Sequence, residues 1–522
     1  MKNLYLLIFL FGIGLLFPSC ISKPKEEKKP NIIFILADDM GYGDLKAFNH
    51  KSKIRTPHLD QLAKEGMMFT DAHTTSAVCT PSRYALLTGR YNWRSSLKKG
   101  VLTGESMALI PKERTTVASL LKSKGYQTGF IGKWHLGLDW ALKVDSINQI
   151  GSGESVNYDL VDFSKPVKNG PNALGFEYSY ALPASLDMAP YVYVENEKVT
   201  QEPDRVTIDE GEYSWWRKGP TSPDFIHQEV TPNFFSRAIE YIENKSKEDK
   251  PFFLYLALPS PHTPILPNEA WQGKSGLLPY ADFVLMIDDY IGRVNQALKT
   301  AGIEENTLVI FSSDNGCAPA AGFNKLVEMG HYPSAQFRGH KADIYEGGHR
   351  VPFIAKWPSK IKAGSLRNET ISLIDFFATA AEIADYSISD HEGEDSYSLL
   401  SLFNSENPSN DFREATVFHS VDGSFAIRKG DWKLILAKGS GGWSFPRPGD
   451  PAEADLPEVQ LYNLATDPGE SKNLEAEEKE KVLDLKQTLI RYIKEGRSTP
   501  GIPQPNDPFE GEWKQVWFMN EE

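Results

Sequence analysis

Cysteine is scarce in this chain: Cys20, Cys79 and Cys317 are the only three among 522 residues. So few cannot supply a disulfide framework, and the fold has to rest on its core. Positive charge is also short, with 56 Lys and Arg against 70 Asp and Glu and a formal net charge of −14. That balance argues against nucleic acid and against a basic membrane-binding surface. It also disfavours an anionic substrate, unless cations are gathered locally in a site. No internal repeat and no low-complexity block is present. What is there, 40% hydrophobic and 24% charged residues, fits a globular protein with room for two domains.

The first twenty residues read as an export signal: Lys2, an apolar run from Leu4 to Phe17, then Pro18, Ser19 and Cys20. The run is too short to span a bilayer comfortably, and polar sequence follows from Ser22. A cysteine directly after such a run resembles the lipid-attachment site of bacterial lipoproteins. Phe17 and Pro18 depart from that pattern and fit ordinary cleavage of a secretory signal equally well. The chain is therefore read as exported, a periplasmic or cell-surface lipoprotein of a bacterium, with a lipid anchor as its sole membrane contact. Residues 21–30, with mixed charges, Pro24 and Pro30, suit a tether.

Asn31 to Ala37 is an unbroken apolar run of strand length that ends in Asp38 and Asp39. Continuous rather than alternating apolarity predicts a strand covered on both faces, as in the centre of an α/β sheet. The pattern recurs at Phe252 to Leu258, ahead of His262, and at Thr307 to Phe311, ahead of Asp314 and Asn315. Helices opening at Thr56, at Thr115 or Thr116, and at Thr231 alternate with strands, which implies parallel pairing. From Leu138 to about Val230 periodicity fades, and the stretch reads as long loops over one end of the sheet. Beyond Ser396 the segments Ser424 to Ile427 and Trp432 to Leu436 look like antiparallel hairpins, followed by a charged helix. The fold class is α/β: a large N-terminal domain over 31–395 with a mostly parallel central sheet flanked by helices, and a smaller C-terminal α+β domain with an antiparallel sheet over 396–522.

Chemistry is first suggested by Cys79-Thr80-Pro81-Ser82-Arg83. Pro81 suits a first helical turn, Thr80 can cap it and Gly89 can end the run. Cys79 then lies at a helix N-terminus, where unpaired NH groups and the dipole favour an anion such as a thiolate, sulfate or phosphate. A lone cysteine there is more often a small buried residue, so its neighbours must decide. The ends of parallel strands share one edge of a sheet, which would bring together Asp38, Asp39, His262, Asp314 and Asn315. Four oxygen donors from two strand ends suit Ca²⁺ or Mg²⁺ rather than zinc. Either pair alone would serve equally well to end a strand, whereas two pairs favour a metal. Arg83, Lys133, His135, His262 and Lys341 are the candidate positive groups, most of them in turns marked by Gly or Pro. With a divalent ion they would supply the local positive field that the acidic chain lacks.

Cys79-Thr80-Pro81-Ser82-Arg83 is similar to the Cys-x-Pro-Ser-Arg signature of type I sulfatases, members of the alkaline phosphatase superfamily. Gly125 to His135, reading Gly-Tyr-Gln-Thr-Gly-Phe-Ile-Gly-Lys-Trp-His, matches the second signature of that family. Lys341 with Tyr345 to Pro352 also looks like the family, and the resemblance runs from Asn31 to Pro468. It implies a sulfatase in which a formylglycine-generating enzyme oxidises Cys79 during maturation. It also implies that Asp38, Asp39, Asp314 and Asn315, together with residue 79, hold Ca²⁺. Arg83 would hold the formylglycine, while Lys133, His135, His262 and Lys341 would bind sulfate or move protons, with His262 as general acid. Ser185 is matched to a further substrate-binding position. A hydrated aldehyde offers two hydroxyls, one to attack sulfur and one to expel sulfate afterwards. A disulfide between Cys79 and Cys317 would consume that nucleophile. The substrate implied is a sulfated polysaccharide or glycosaminoglycan, with galactose or N-acetylgalactosamine sulfates favoured, and the aromatic pair Trp215 and Trp216 offers faces for sugar rings. Two other readings stand beside it: a phosphate or phosphonate ester hydrolase of the same superfamily, and a glycan-binding lipoprotein whose cysteine is never converted.

Overall fold

Asn31–Asp38 forms strand β1, and its alternate side chains feed two different cores: Ile32, Phe34 and Leu36 enter one, Ile33, Ile35 and Ala37 the other. Burial on both faces is the physical reason for its unbroken apolar run. A computed structural model describes residues 28–143, 157–404 and 412–520. The export signal and Cys20 lie outside the described residues. No described helix is long and apolar enough to cross a membrane.

The strands that follow β1 in chain order are β2 (Met67–Phe69), β3 (Ala72–His73), β4 (Gln127–Lys133), β5 (Tyr178–Leu182), β6 (Val194–Glu195) and β7 (Lys198–Val199). Next come the hairpin β8 (Arg205–Asp209) and β9 (Trp216–Thr221), then β10 (Phe252–Pro261), β11 (Thr307–Ser313), β12 (Phe353–Lys356) and β13 (Ser365–Arg367). Ten of these form one sheet in the order β13, β2, β12, β11, β1, β10, β4, β5, β6, β7. The five consecutive strands β11, β1, β10, β4 and β5 are all parallel, as the alternation of strands and helices predicts. Their C-terminal ends therefore share one edge. Helices α1 (Pro57–Glu65), α2 (Cys79–Thr88) and α3 (Val117–Ser123) precede α4 (Val230–Lys245) and α5 (Pro279–Thr300). Leu59 of α1, Phe234 of α4 and Ile287 of α5 cover one face of the sheet, while Leu86 of α2 and Leu120 of α3 cover the other.

The stretch 138–230, read as loops, contains β5 to β9, and β5 to β7 extend the main sheet. Trp216 is a packing residue, stacked 3.8 Å from the ring of His227. Beyond the main sheet, residues 416–419, 425–429, 432–435 and 460–463 form a four-stranded antiparallel sheet. The helix Lys479–Glu495 covers it with Leu485, Leu489 and Ile493. All ten residues of α2 are buried, because Leu86 and Leu87 pack into the main core while Ala85 packs into the core of the second sheet.

The two sheets also meet in a buried charged network. His73 Nε2 lies 2.9 Å from Asp71, His73 Nδ1 lies 3.0 Å from His349 Nδ1, and Lys433 Nζ lies 3.0 Å from His349 Nε2. Glu346 is held by Lys433 at 3.1 Å and by Arg350 at 3.0 Å. Cations thus pair with the carboxylates, and each ring nitrogen of His73 and His349 has a polar neighbour inside the network.

Several buried histidines are neutral in the fold. Burial pulls His227 and His419 each down to about 3, and His349 well below its ordinary value, helped there by Lys433. In the unfolded chain each titrates near ~6.5, so below that pH the unfolded state binds more protons and stability falls. Each neutral histidine then costs about 1.4 kcal/mol per pH unit. Between pH 7 and pH 5 the urea midpoint is expected to drop markedly; equal midpoints at the two pH values would contradict this assignment.

Candidate active site

Helix α2 begins at Cys79 itself, with extended Val78 as its cap residue and left-handed Gly89 (φ 64°) closing it. Thr80 is not the cap: its hydroxyl donates to the His135 carbonyl at 3.0 Å, tying the helix start to the turn after β4. Cys79 is 3% exposed and, like Cys317, carries a free thiol. Burial raises its thiol, and Lys133 and Lys341 pull it back only in part.

The shared edge of the parallel strands supplies the rest. Asp38 ends β1, and Asp39 follows with φ 67°, a left-handed turn that sets the two carboxylates apart from the strand. Lys133 ends β4 behind Gly132, whose φ of 126° and 1.8 Å approach of the Ala257 carbonyl to a built Cβ leave no room for a side chain. Asp314 and Asn315 follow β11, His262 follows β10 and Ser185 follows β5.

Arg83 joins these ends. Its Nε donates to Asp314 Oδ2 at 2.9 Å, its Nη1 to the Lys133 carbonyl at 2.9 Å and its Nη2 to the Leu258 carbonyl at 3.3 Å, with Asp38 Oδ2 at 3.5 Å. Lys133 Nζ lies 2.5 Å from Asp38 Oδ2 and 3.2 Å from Ser185 Oγ. Lys341 Nζ lies 2.6 Å from Asp39 Oδ1, which also accepts from Asn315 Nδ2 at 2.6 Å. His262 Nδ1 is 2.6 Å from the Thr263 carbonyl and 3.5 Å from Ser185 Oγ, while its Nε2 faces Asp39 Oδ2 at 3.7 Å. His135 Nε2 is 2.7 Å from the Leu102 carbonyl, and its Nδ1 is buried without a partner.

The residues singled out in the sequence thus converge on one edge. Two more belong to it. Asp187 lies with its Oδ1 3.9 Å from His262 Nδ1, and it is clamped by Arg217 from β9. Neither follows from the sequence pattern, because both come from the stretch without periodicity.

The charges are coupled. Burial opposes ionisation of Asp38, but Lys133, His262 and Arg83 overcome it and hold its carboxyl far below the usual range. Asp314 is pushed up to about 6 by burial and by the charge on Asp38. Burial opposes the charge on Lys341, yet Asp39 holds it well above the ordinary lysine value. His135 is driven well below the usual histidine value by burial and by Lys133. The locally concentrated cations are Arg83, Lys133 and Lys341, and all three are buried in an otherwise acidic protein.

A parallel sheet that ends in such a charged edge beside a helix N-terminus defines a binding site for an anion. Which anion follows from comparison. Residues 30–386 match the sulfatase family, and residues 339–497 match the C-terminal region of N-sulphoglucosamine sulphohydrolase. The chain belongs to the sulfatase family and is a sulfuric ester hydrolase. It is 33% identical to an N-acetylgalactosamine-6-O-sulfatase of Bacteroides thetaiotaomicron, over 94% of this chain and 99% of that one. Arylsulfatase A of Homo sapiens is 32% identical over 86% of this chain and 83% of its own length. A structure solved in work on the metabolism of multiple glycosaminoglycans by Bacteroides thetaiotaomicron matches with a TM-score of 0.76 and 31% identity, covering 89% and 99% of the two chains. A phosphonate monoester hydrolase of Agrobacterium radiobacter shares the fold at a TM-score of 0.57 and 18% identity, so the fold alone does not separate sulfate from phosphonate.

Proposed function

We propose that the protein removes sulfate from a sulfated sugar, using Ca²⁺ and a formylglycine made from Cys79. The observation that carries this reading is a set of three buried oxygens without hydrogen-bond partners: Asp38 Oδ1, Asp39 Oδ2 and Asn315 Oδ1. Leaving such groups unsatisfied costs about 1–3 kcal/mol each, and more for a charged one. A hard divalent cation held by Asp38, Asp39, Asp314 and Asn315, with residue 79 completing the set, removes that cost. Of the two hard cations considered, Ca²⁺ suits a flexible all-oxygen set better than Mg²⁺.

A cation bound there would supply Lewis-acid polarisation of a sulfate oxygen, and a hydrated aldehyde at position 79 would offer a hydroxyl as nucleophile. The chain's own residues do the rest. Arg83 fixes Asp38 and Asp314 and anchors α2. Lys133 and Lys341 place ammonium groups where sulfate oxygens gain negative charge. The carbonyl of Thr263 accepts a hydrogen bond from His262 Nδ1, so Nε2 is the ring atom left to give a proton to the leaving alcohol. His135, neutral and bonded through Nε2, keeps an Nδ1 lone pair that can accept a hydrogen bond from a sulfate-bearing ligand or a hydroxyl in the site. Ser185 bridges Lys133 and His262. Because Cys79 is buried in the finished fold, a formylglycine-generating enzyme has to reach it before folding closes the site.

The sugar assignment draws on the N-acetylgalactosamine-6-O-sulfatase relative: an N-acetylgalactosamine residue sulfated at O6, within a glycosaminoglycan met outside the cytoplasm of a bacterium. Peptide mass spectrometry across Cys79, on protein from a host that carries the converting enzyme, tests the modification. An unmodified thiol would favour the glycan-binding reading. Turnover of matched aryl sulfate and aryl phosphate tests the reaction, and preference for phosphate would sink it. Dialysis against a chelator is expected to lower sulfate release by about a hundredfold or more, with Ca²⁺ restoring it. Full activity in metal-free protein would remove the cation from the reaction.

A further inference from the structure

One turn serves two places. Lys341 reaches Asp39 in the site, whereas its neighbour His340 lines a cavity of about 710 Å³ outside it, closed on the far side by Trp443, Phe445 and Arg447. His340 and Phe323 also line a second cavity of about 320 Å³ that extends to Glu212 and Tyr213. The Tyr213 carbonyl accepts from Ile265 N at 2.8 Å, in the segment that follows His262. The two cavities share Pro319, Phe323, Asn324 and His340, and the end at Tyr213 is tied to the segment that follows His262, so together they line a path past His340 to Trp443.

The far wall is unusual for a surface loop. Trp443 is 42% and Phe445 71% exposed, an apolar pair that folding alone has no reason to leave in water. The loop is nevertheless held still. Backbone NH groups of Trp443 and Ser444 donate to Asp343 Oδ1 at 2.8 and 2.9 Å, Ser440 Oγ donates to the Ser444 carbonyl at 2.7 Å, and Ile344 N donates to the Ser440 carbonyl at 2.8 Å. Arg447 Nε donates to the Trp443 carbonyl at 2.8 Å, and no described carboxylate pairs with its guanidinium. A rigid aromatic face beside an unpaired cation is preorganised for an anionic sugar, because its ordering cost is met before binding.

We propose that this groove is a subsite for the sugar next to the sulfated one, with the apolar face of that ring on Trp443 and its carboxylate against Arg447. The inference rests on the sulfated-sugar reading above and deepens it: the enzyme is built for an oligosaccharide rather than a free monosaccharide. The probes are N-acetylgalactosamine 6-sulfate and a tetrasaccharide in which the same sugar alternates with a uronic acid. Wild type is expected to prefer the tetrasaccharide. Trp443→Ala should raise KM for the tetrasaccharide about tenfold and leave kcat unchanged. Its kcat/KM on the monosaccharide should stay at the wild-type value. Arg447→Gln should lose kcat/KM on the tetrasaccharide but not on its carboxyl-reduced form. Both side chains are exposed, so thermal midpoints control for folding. No preference by wild type, or equal losses on both substrates, would overturn the subsite. If wild type released sulfate from neither probe, the sugar reading would fail by itself and calorimetry with the tetrasaccharide would judge the groove. Binding lost in Trp443→Ala would support it, and absent or unchanged binding would overturn it.

Discussion

Cys79→Ala is expected to lower kcat for sulfate ester hydrolysis by about 10⁴-fold or more, with the thermal midpoint nearly unchanged. The two halves of this expectation have separate causes. Position 79 is where the helix N-terminus, Lys133 and Lys341 converge, so the nucleophile cannot be replaced by any neighbour. The side chain is small and its burial is shared by a helix packed on two sides, so deletion of its one terminal group leaves a small void worth about 1 kcal/mol. Activity above a few per cent of wild type, in protein shown to be free of wild-type contamination, would move the nucleophile elsewhere.

The second large effect is on stability. Arg83→Ala is expected to destabilise the protein by about 3–5 kcal/mol, because it strands buried carboxylates rather than because a favourable pair is lost. Without the guanidinium, Asp314 loses its direct ion pair and is left with the more distant Lys133, while Asp38 keeps Lys133 in contact and His262 nearby. The carbonyls of Lys133 and Leu258 lose a donor as well. Excess Ca²⁺ should recover part of the loss by restoring positive charge between the same carboxylates. Denaturant unfolding with and without the ion reads both effects. A variant as stable as wild type in chelator would show that the carboxylates carry no charge there.

The sheet centre was legible because β1, β10 and β11 are buried on both faces and so must be apolar at every position. Their polar ends were legible for the same reason, since Asp38, His262 and Asp314 interrupt runs that otherwise tolerate no charge. β5 was not legible: five residues with Tyr178, Ser179 and Tyr180 carry no such run, and the strand is defined by its pairing with β4 rather than by its own sequence. Asp187 stayed hidden with it. Thr80 misled as a cap because its hydroxyl has a tertiary partner, the His135 carbonyl, that no local rule anticipates. The hydrogen bond from Trp443 N to Asp343 lay equally out of reach, because 100 residues separate the loops that meet there.

The common direction of the central strands also separates the start of the described chain from the catalytic edge. Lys28, Lys29 and Asn31 lie beside Pro251 and Asn306, at the edge where β1, β10 and β11 begin. The chain thus enters at the edge opposite Cys79, and the eight residues of β1 span roughly 25 Å between the two.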